Sequence, residues 1–312
     1  MNDLDLAAYI INFDSDDFST HAFFTIRSAP KVLTPVPWPA GESPVPQKIN
    51  GLSPDNPLPE CDIVIVTWTM EEGKALSDVL TPAFNSKTGW YSYTKDFASY
   101  KNDLTSRSPA RESKRLGSYF LTKIKSKKVL CFKSELHMST DGIKLPVKRL
   151  WQQIIDDTKA GLIITTGTAG GIGAKAYLGD VVISKKVRFD CTKTFKNQPF
   201  AKQVFITNNK LKIPKNTLVT KRLLAANNKQ LPVNSPMPAF FSDDQSFNKV
   251  PGVVTTDFFA FDNLENTYKL KAFGAALEMG DSVLALLCNE IGKDAPSWIS
   301  IRNVSDPEIK DD

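Results

Sequence analysis

The sequence predicts an α/β protein, a three-layer α/β/α sandwich with a mixed central sheet beginning near Asp62. Three observations carry that reading. Short apolar, β-branched runs recur at 62–67, 128–133, 162–166, 180–184 and 298–301. Amphipathic helical stripes lie between them, clearest at Val147, Leu150, Trp151, Ile154 and Ile155. With 312 residues, 41% of them hydrophobic, the chain can bury one large core and still carry an extension.

Residues 1–60 hold nine of the 20 prolines and include TPVPWPAGESPVP at 34–46. Such a stretch is expected to be an extended, tethered arm available as an oligomer contact, with the main domain spanning 61–312. The domain opens with the strand DIVIVT at 62–67, followed by a helix with Ala75, Leu76, Val79 and Leu80 at helical spacing. Glu71 and Glu72 therefore fall at a strand-to-helix junction, where open α/β sheets place ligands. The plainer alternative is that two acids simply favour a first helical turn. Residues 81–127 read as a long polar insertion, a solvated hairpin or loop, with seven Lys/Arg in 111–128. Pro146 suits the first turn of the next helix. A helix is expected at 216–230 and an amphipathic one at 275–291. The last strand delivers Arg302-Asn303-Val304-Ser305-Asp306 at its end.

The stretch 162–184, LIITTGTAGGIGAKAYLGDVVIS, organises the rest. A buried strand runs into a glycine-rich loop whose backbone can approach a ligand closely. A dinucleotide fingerprint is excluded. Only six residues, 174–179, separate the loop from the next strand, and a parallel crossover needs about a dozen or more.

Composition removes several classes. No run of about 18 apolar residues exists to span a membrane, and the N-terminus lacks a signal-peptide pattern. Cys61, Cys131, Cys191 and Cys288 are scattered and expected to be buried, reduced thiols of a cytoplasmic protein. The only histidines are His21 and His137, and no cluster has metal-ligand spacing, so neither metal nor cofactor is implied. A net charge of +5 does not call for nucleic acid as a partner.

Residues 166–171 and 179–183 resemble the TGxAGG-like loop and GDVV-like strand of the nucleoside phosphorylase and nucleosidase superfamily. Three further pieces resemble it in the right order: Met70-Glu71-Glu72, Thr256-Asp257-Phe258-Phe259, and Ser305-Asp306. In motif, the methylthioadenosine/S-adenosylhomocysteine nucleosidase branch is the nearest. The resemblance implies cleavage of a purine N-glycosidic bond. Asp306, oriented by Ser305, would protonate the leaving base and Glu72 would activate water. Thr168, Ala169 and Gly170 would line the sugar and nucleophile pocket, and Phe259 would stack the base. It also implies a homo-oligomer acting on a small purine nucleoside or nucleotide. The basic stretches at 111–128 and 188–202 are candidate contacts for a 5′-phosphate.

Two departures stand out. The family's Met-Glu pair grips the ribose hydroxyls, but here the run is Glu278-Met279-Gly280-Asp281, and Gly280 stands where that Glu is expected. Glu278 or Asp281 takes its role, or ribose binding is altered. The family's C-terminal helix is expected to be missing from a chain that stops six residues after Asp306. The alternatives to hydrolysis are a phosphorylase and a non-catalytic nucleoside- or nucleotide-binding module. The uncharged 164–166 and the carboxylate of Glu72 both argue against phosphate as the nucleophile.

Overall fold

The structure, a computed structural model, describes residues 35–172, 179–208, 240–242, 252–258, 270 and 273–306. The expected helix at 216–230 and Phe259 lie outside them. In chain order the elements are β1 (Val45–Gln47), β2 (Ile63–Thr67), α1 (Met70–Leu80), β3 (Tyr91–Tyr93), α2 (Phe97–Tyr100), α3 (Pro109–Ser113), β4 (Gly117–Ile124) and β5 (Lys127–Ser134). There follow α4 (Pro146–Thr158), β6 (Leu162–Gly171), β7 (Val181–Ser184), β8 (Lys186–Phe189), β9 (Val204–Ile206), β10 (Phe240–Ser242), β11 (Val253–Thr255), β12 (Ala276–Glu278), α5 (Asp281–Ile291) and β13 (Ser297–Asp306).

The strands form one mixed sheet in the order β1-β4-β5-β2-β6-β12-β11-β8-β9, with β13 on β6 and β7. Strands β5, β2, β6 and β13 run parallel to one another. They are the apolar runs of the sequence, buried as parallel strands usually are. Helix α1 packs on β2, β5 and β6, while α5 packs on β8, β9, β11 and α4. The expected fold class, a mixed central sheet flanked by helices, is what forms.

The stripe on α4 explains its seat. Val147, Leu150, Trp151 and Ile154 are all buried, and each such side chain contributes about 1.5–3 kcal/mol through the area it removes from water. Helix α5 is buried all round from Asp281 through Cys288, with Val283 to Leu287 apolar, as expected of a helix in the interior. All four cysteines are free thiols and buried. None of the described helices is long and apolar enough to cross a membrane.

Several sequence expectations change here. The glycine run is not a loop: β6 continues through Gly171, because β13 pairs alongside it from Leu162 to Gly170. A glycine run has no side-chain period of its own, so only the distant partner strand reveals it. Residues 81–127 are not a solvated insertion. They contribute β3, β4, α2 and α3, and Tyr93, Tyr100, Tyr119 and Phe120 are almost wholly buried. Two of the tyrosines carry their hydroxyls inward by pairing them: Tyr93 donates to Asp157 (2.7 Å) and Tyr100 to Gln153 (2.8 Å). The helix expected from residue 275 begins only at Asp281, because Ala276–Glu278 is drawn into the sheet between β11 and β6. The proline-rich stretch also reaches the sheet: β1 pairs antiparallel with β4.

Candidate active site

The site forms at a break in the hydrogen-bond ladder of β6. On one edge, β6 pairs with β13 along most of its length. On the other edge it pairs with β2 at Leu162–Thr165, then with β12 at Gly170-Gly171. Between those two partners the backbone of Thr168 is left for a side chain, and Glu72 takes it. The Thr168 N–H donates to Glu72 Oε1 at 2.7 Å and the Thr168 hydroxyl to the same oxygen at 2.9 Å.

Glu72 reaches this point because it is the third residue of α1. Thr69 caps the helix, its hydroxyl accepting from the Glu72 N–H at 3.1 Å. In return Glu72 Oε2 accepts from the Thr69 N–H (3.0 Å), the Trp68 N–H (3.1 Å) and the Thr67 hydroxyl (2.7 Å). This is a reciprocal capping box. It vindicates the plain reading of the acidic first turn without removing Glu72 from the site. Burial pushes the Glu72 carboxyl up, but Arg302, the Thr168 and Thr69 amides and the Thr67 hydroxyl outweigh it and hold it below the ordinary value.

Arg302, on β13, is the centre of charge. Its Nε donates to Asp281 Oδ2 at 2.8 Å and its Nη2 to Asp281 Oδ1, a two-pronged clamp. Nη2 also approaches Glu278 Oε2 at 3.5 Å, and Nη1 lies 3.4 Å from the Thr168 carbonyl. The guanidinium sits 4.9 Å from the Trp68 ring. Burial would lower the Arg302 pKa, but Asp281 and Glu278 drive it upward, so it stays charged. These groups crowd β6 at Gly167, where a Cβ would stand 2.5 Å from Glu72 Oε1 and 2.8 Å from Arg302 Nη1 and would push both side chains aside.

Glu278 ends β12 with its carboxylate curled over the start of α5. It accepts from the Gly280 and Asp281 N–H groups and from the Thr255 hydroxyl. Burial and the nearby Asp281 push the Glu278 carboxyl up to about 8, against the pull of Arg302. Asp281 is committed to Arg302 and to the Ser300 hydroxyl. Of the two candidates for the role of a residue-280 carboxylate, Glu278 is the one beside that position: its Oε2 lies 3.6 Å from where a Gly280 Cβ would be.

The remaining candidates fall as follows. Thr168 is exposed, whereas Ala169 is buried against β13, paired with Val304, and Gly170 pairs with Leu277 and Asp306. Only Thr168 of the three offers a side chain to the site. Met279 is partly buried between β12 and α5. Ser305 is partly buried at a bulge in β13, and the backbone of Asp306 pairs with Gly170 at the same end of β6. Asp257 holds the loop after β8, accepting from Thr192 N–H (2.9 Å) and Phe195 N–H (2.7 Å), and Phe258 is a core aromatic. Many of the candidate phosphate cations have protein partners. Arg115 pairs with Glu135 (2.7 Å), Lys127 with Asp62 (2.8 Å) and Lys202 with Asp190 (2.8 Å), and Arg188 lies 3.6 Å from the Phe273 ring.

Sequence reasoning passed over Arg302 and Trp68. The signal for Arg302 was a cation directly after the apolar Ile299 and Ile301 of the last strand. Trp68 gave none beyond its place beside Glu72.

Three solved structures illustrate what the chain is similar to. The 5′-methylthioadenosine/S-adenosylhomocysteine nucleosidase from Neisseria meningitidis is 16% identical, covering 79% of this chain and 87% of that one, with a TM-score of 0.48. The enzyme of the same name from Campylobacter jejuni is 16% identical, covering 81% and 88%, with a TM-score of 0.47. A futalosine hydrolase mutant from Helicobacter pylori is 12% identical, covering 78% and 88%, with a TM-score of 0.46. No curated protein matches. The family model of the phosphorylase superfamily matches residues 63–312. That match takes in the whole of β2 through β13 and every residue of the site, and the chain belongs to the phosphorylase superfamily.

Proposed function

We propose that the protein hydrolyses the N-glycosidic bond of a purine nucleoside or nucleotide. The observation that carries this reading is the meeting of Glu72, Thr168, Glu278 and the β13 end bearing Ser305-Asp306 around one break in β6. Cleavage builds positive charge on the sugar and negative charge on the base. Carboxylates beside the sugar stabilise the first, and an acid at the strand end, Asp306, neutralises the second. Phe259 is the aromatic proposed to stack the base, with Ser305 orienting the acid.

Water is the proposed nucleophile. The site does contain an arginine, but Arg302 faces the carboxylates of Asp281 and Glu72, two charges to one cation, besides the Glu278 carboxyl whose raised pKa keeps it mainly protonated at neutral pH. A phosphate dianion entering there would meet net negative charge. Water would reach Glu72 Oε1 by replacing the Thr168 hydroxyl, the one donor on that oxygen that can rotate away into solvent. The experiment incubates the protein with a panel of purine nucleosides and nucleotides in phosphate-free buffer, then adds phosphate. Base release at a rate unchanged by phosphate, with free sugar as product, is expected. Phosphate dependence with a sugar 1-phosphate as product would overturn it.

One observation favours a second reading, a binding module without catalysis. Five protein donors occupy the Glu72 carboxylate, and its lowered pKa makes it a weak base. Nucleosides that bind but release no base would establish it.

A further inference from the structure

Strands β8, β11 and β12 run parallel, and their side chains alternate between two faces of the sheet. Thr255 and Glu278 share a register row and point toward the start of α5, where the Ser282 N–H donates to the Thr255 hydroxyl at 3.0 Å. Arg188, Val254 and Leu277 share the preceding row and therefore show the opposite face. On that face Val254 and Leu277 join Ile172, Leu270 and Phe273 in a small apolar cluster. Beside it opens a cavity of about 210 Å³, lined among others by Lys186, Arg188, Val204, Gly252 and Phe273. Both of its cations are unanswered. Arg188 Nη2 is 3.8 Å from Asp190 Oδ1, beyond hydrogen-bond reach, and that oxygen already accepts from Lys202 at 2.8 Å. Among the described residues no acceptor takes a hydrogen bond from Lys186 Nζ or from an Arg188 nitrogen, and Arg188 Nε is buried without one. The Arg188 guanidinium is not loose, for it lies 3.6 Å from the centre of the Phe273 ring.

We propose that this cavity binds a small organic carboxylate, its head on Arg188 and Lys186 and its apolar body against Phe273 and Val204, at a site separate from the one at Glu72. The proposal does not rest on the nucleoside reading. The walls select the ligand. A guanidinium fork held flat on a ring matches a planar carboxylate, and an ammonium beside it adds a second donor. Val204, 47% exposed, and the Phe273 ring give a hydrocarbon body somewhere to lie, which a bare inorganic anion would not use. Asp190 near Arg188 leaves room for one negative charge more readily than for two. Size excludes the substrate itself: sites for drug-sized ligands take about 300–1,000 Å³, more than is present. Gly252 helps to keep the space open, since a Cβ there would stand 3.3 Å from both Lys186 Cε and the Phe273 carbonyl.

The test titrates benzoate into the full chain by calorimetry, in a buffer free of phosphate and carboxylates. Benzyl alcohol, the same ring without the charge, and inorganic phosphate, the charge without the ring, are titrated beside it. Benzoate is expected to bind, and each of the other two to bind at least about 10-fold more weakly. Arg188→Met and Lys186→Met keep the length of the side chain and remove its charge. Each is expected to weaken benzoate about 10-fold or more, the size of a charge-assisted hydrogen bond. Lys186→Met keeps the test valid if Arg188→Met does not fold. A saturating C-nucleoside analogue of adenosine, whose carbon–carbon bond cannot be hydrolysed, is expected to leave the benzoate affinity unchanged. No benzoate binding, binding that both variants retain, phosphate binding as tightly as benzoate, or displacement of benzoate by the nucleoside analogue would each overturn the inference. Base release from nucleosides is measured apart from this, so either reading can fail while the other stands.

Discussion

Replacing Glu72 by glutamine separates two roles that one carboxylate holds. Oε2 receives the Trp68 and Thr69 amides and the Thr67 hydroxyl, and Oε1 receives the Thr168 amide and hydroxyl. A glutamine amide has one oxygen. Turned toward the cap, that oxygen keeps both cap amides, and its NH2 group then confronts the Thr168 N–H. The Thr168 hydroxyl can rotate to accept, but the Thr168 amide cannot. One backbone donor is lost, at about 1–3 kcal/mol, and the remaining bonds fall from charge-assisted to neutral strength. Arg302 also loses one of the carboxylates around it. Together the loss comes to about 2–4 kcal/mol. Urea unfolding followed by circular dichroism at neutral pH measures it. The pH dependence checks the cause. The Glu72 pKa is lower in the folded chain than its ordinary value of 4.5, so its stabilisation is complete above that value and is lost as pH falls through the folded pKa. The gap between wild type and variant should therefore close in acid. A variant as stable as wild type within about 0.5 kcal/mol would refute the cap, because a side chain that matters only to catalysis leaves stability alone. Base release lost together with stability fits both roles; release lost without it leaves only the catalytic one.

Three more outcomes are expected. Asp306→Asn should lower base release about 100-fold or more in a steady-state assay, with an unchanged unfolding midpoint, since a general acid contributes about that much. Arg302→Met should cost about 3–5 kcal/mol in urea unfolding, because it strands Glu278 and Asp281 without their cation; a loss under about 1 kcal/mol would mean the cluster is not held by charge. Gly117→Ala should destabilise by at least about 1–3 kcal/mol, since its Cβ would lie 2.4 Å from the Phe132 ring and 2.6 Å from the Lys133 carbonyl, neither of which can swing aside.

Local patterns in the sequence were legible where one residue's surroundings are set by its near neighbours. The strand at Ile63–Thr67, the stripe on α4 and the acids at the start of α1 all follow from periods or caps within a single element. What stayed hidden depends on partners far along the chain. The glycines of β6 become a strand because of β13, more than 130 residues later. Residues 81–127 looked solvated because lysines and arginines outnumber what their pattern could bury, yet β4 is buried at six successive positions. Glu278 was placed on a helix, and it stands on a strand because β11 and β6 flank it. Trp68 lies under the Arg302 guanidinium, 4.9 Å away, only because β13 returns beside β6, which no single-sequence pattern contains.

The four buried cysteines make the folded chain chemically quiet toward thiol reagents. Burial pushes the Cys61 and Cys288 thiols up to about 12, and Cys131 and Cys191 are raised for the same reason, so almost no thiolate exists near neutral pH. Alkylation must therefore wait for local opening. The positions divide the molecule usefully. Cys61 precedes β2, Cys131 lies in β5, Cys191 follows β8 and Cys288 is in α5. Each thiol is a built-in clock for its own region, and the order in which the four acquire label would record how the molecule comes apart without a single engineered probe.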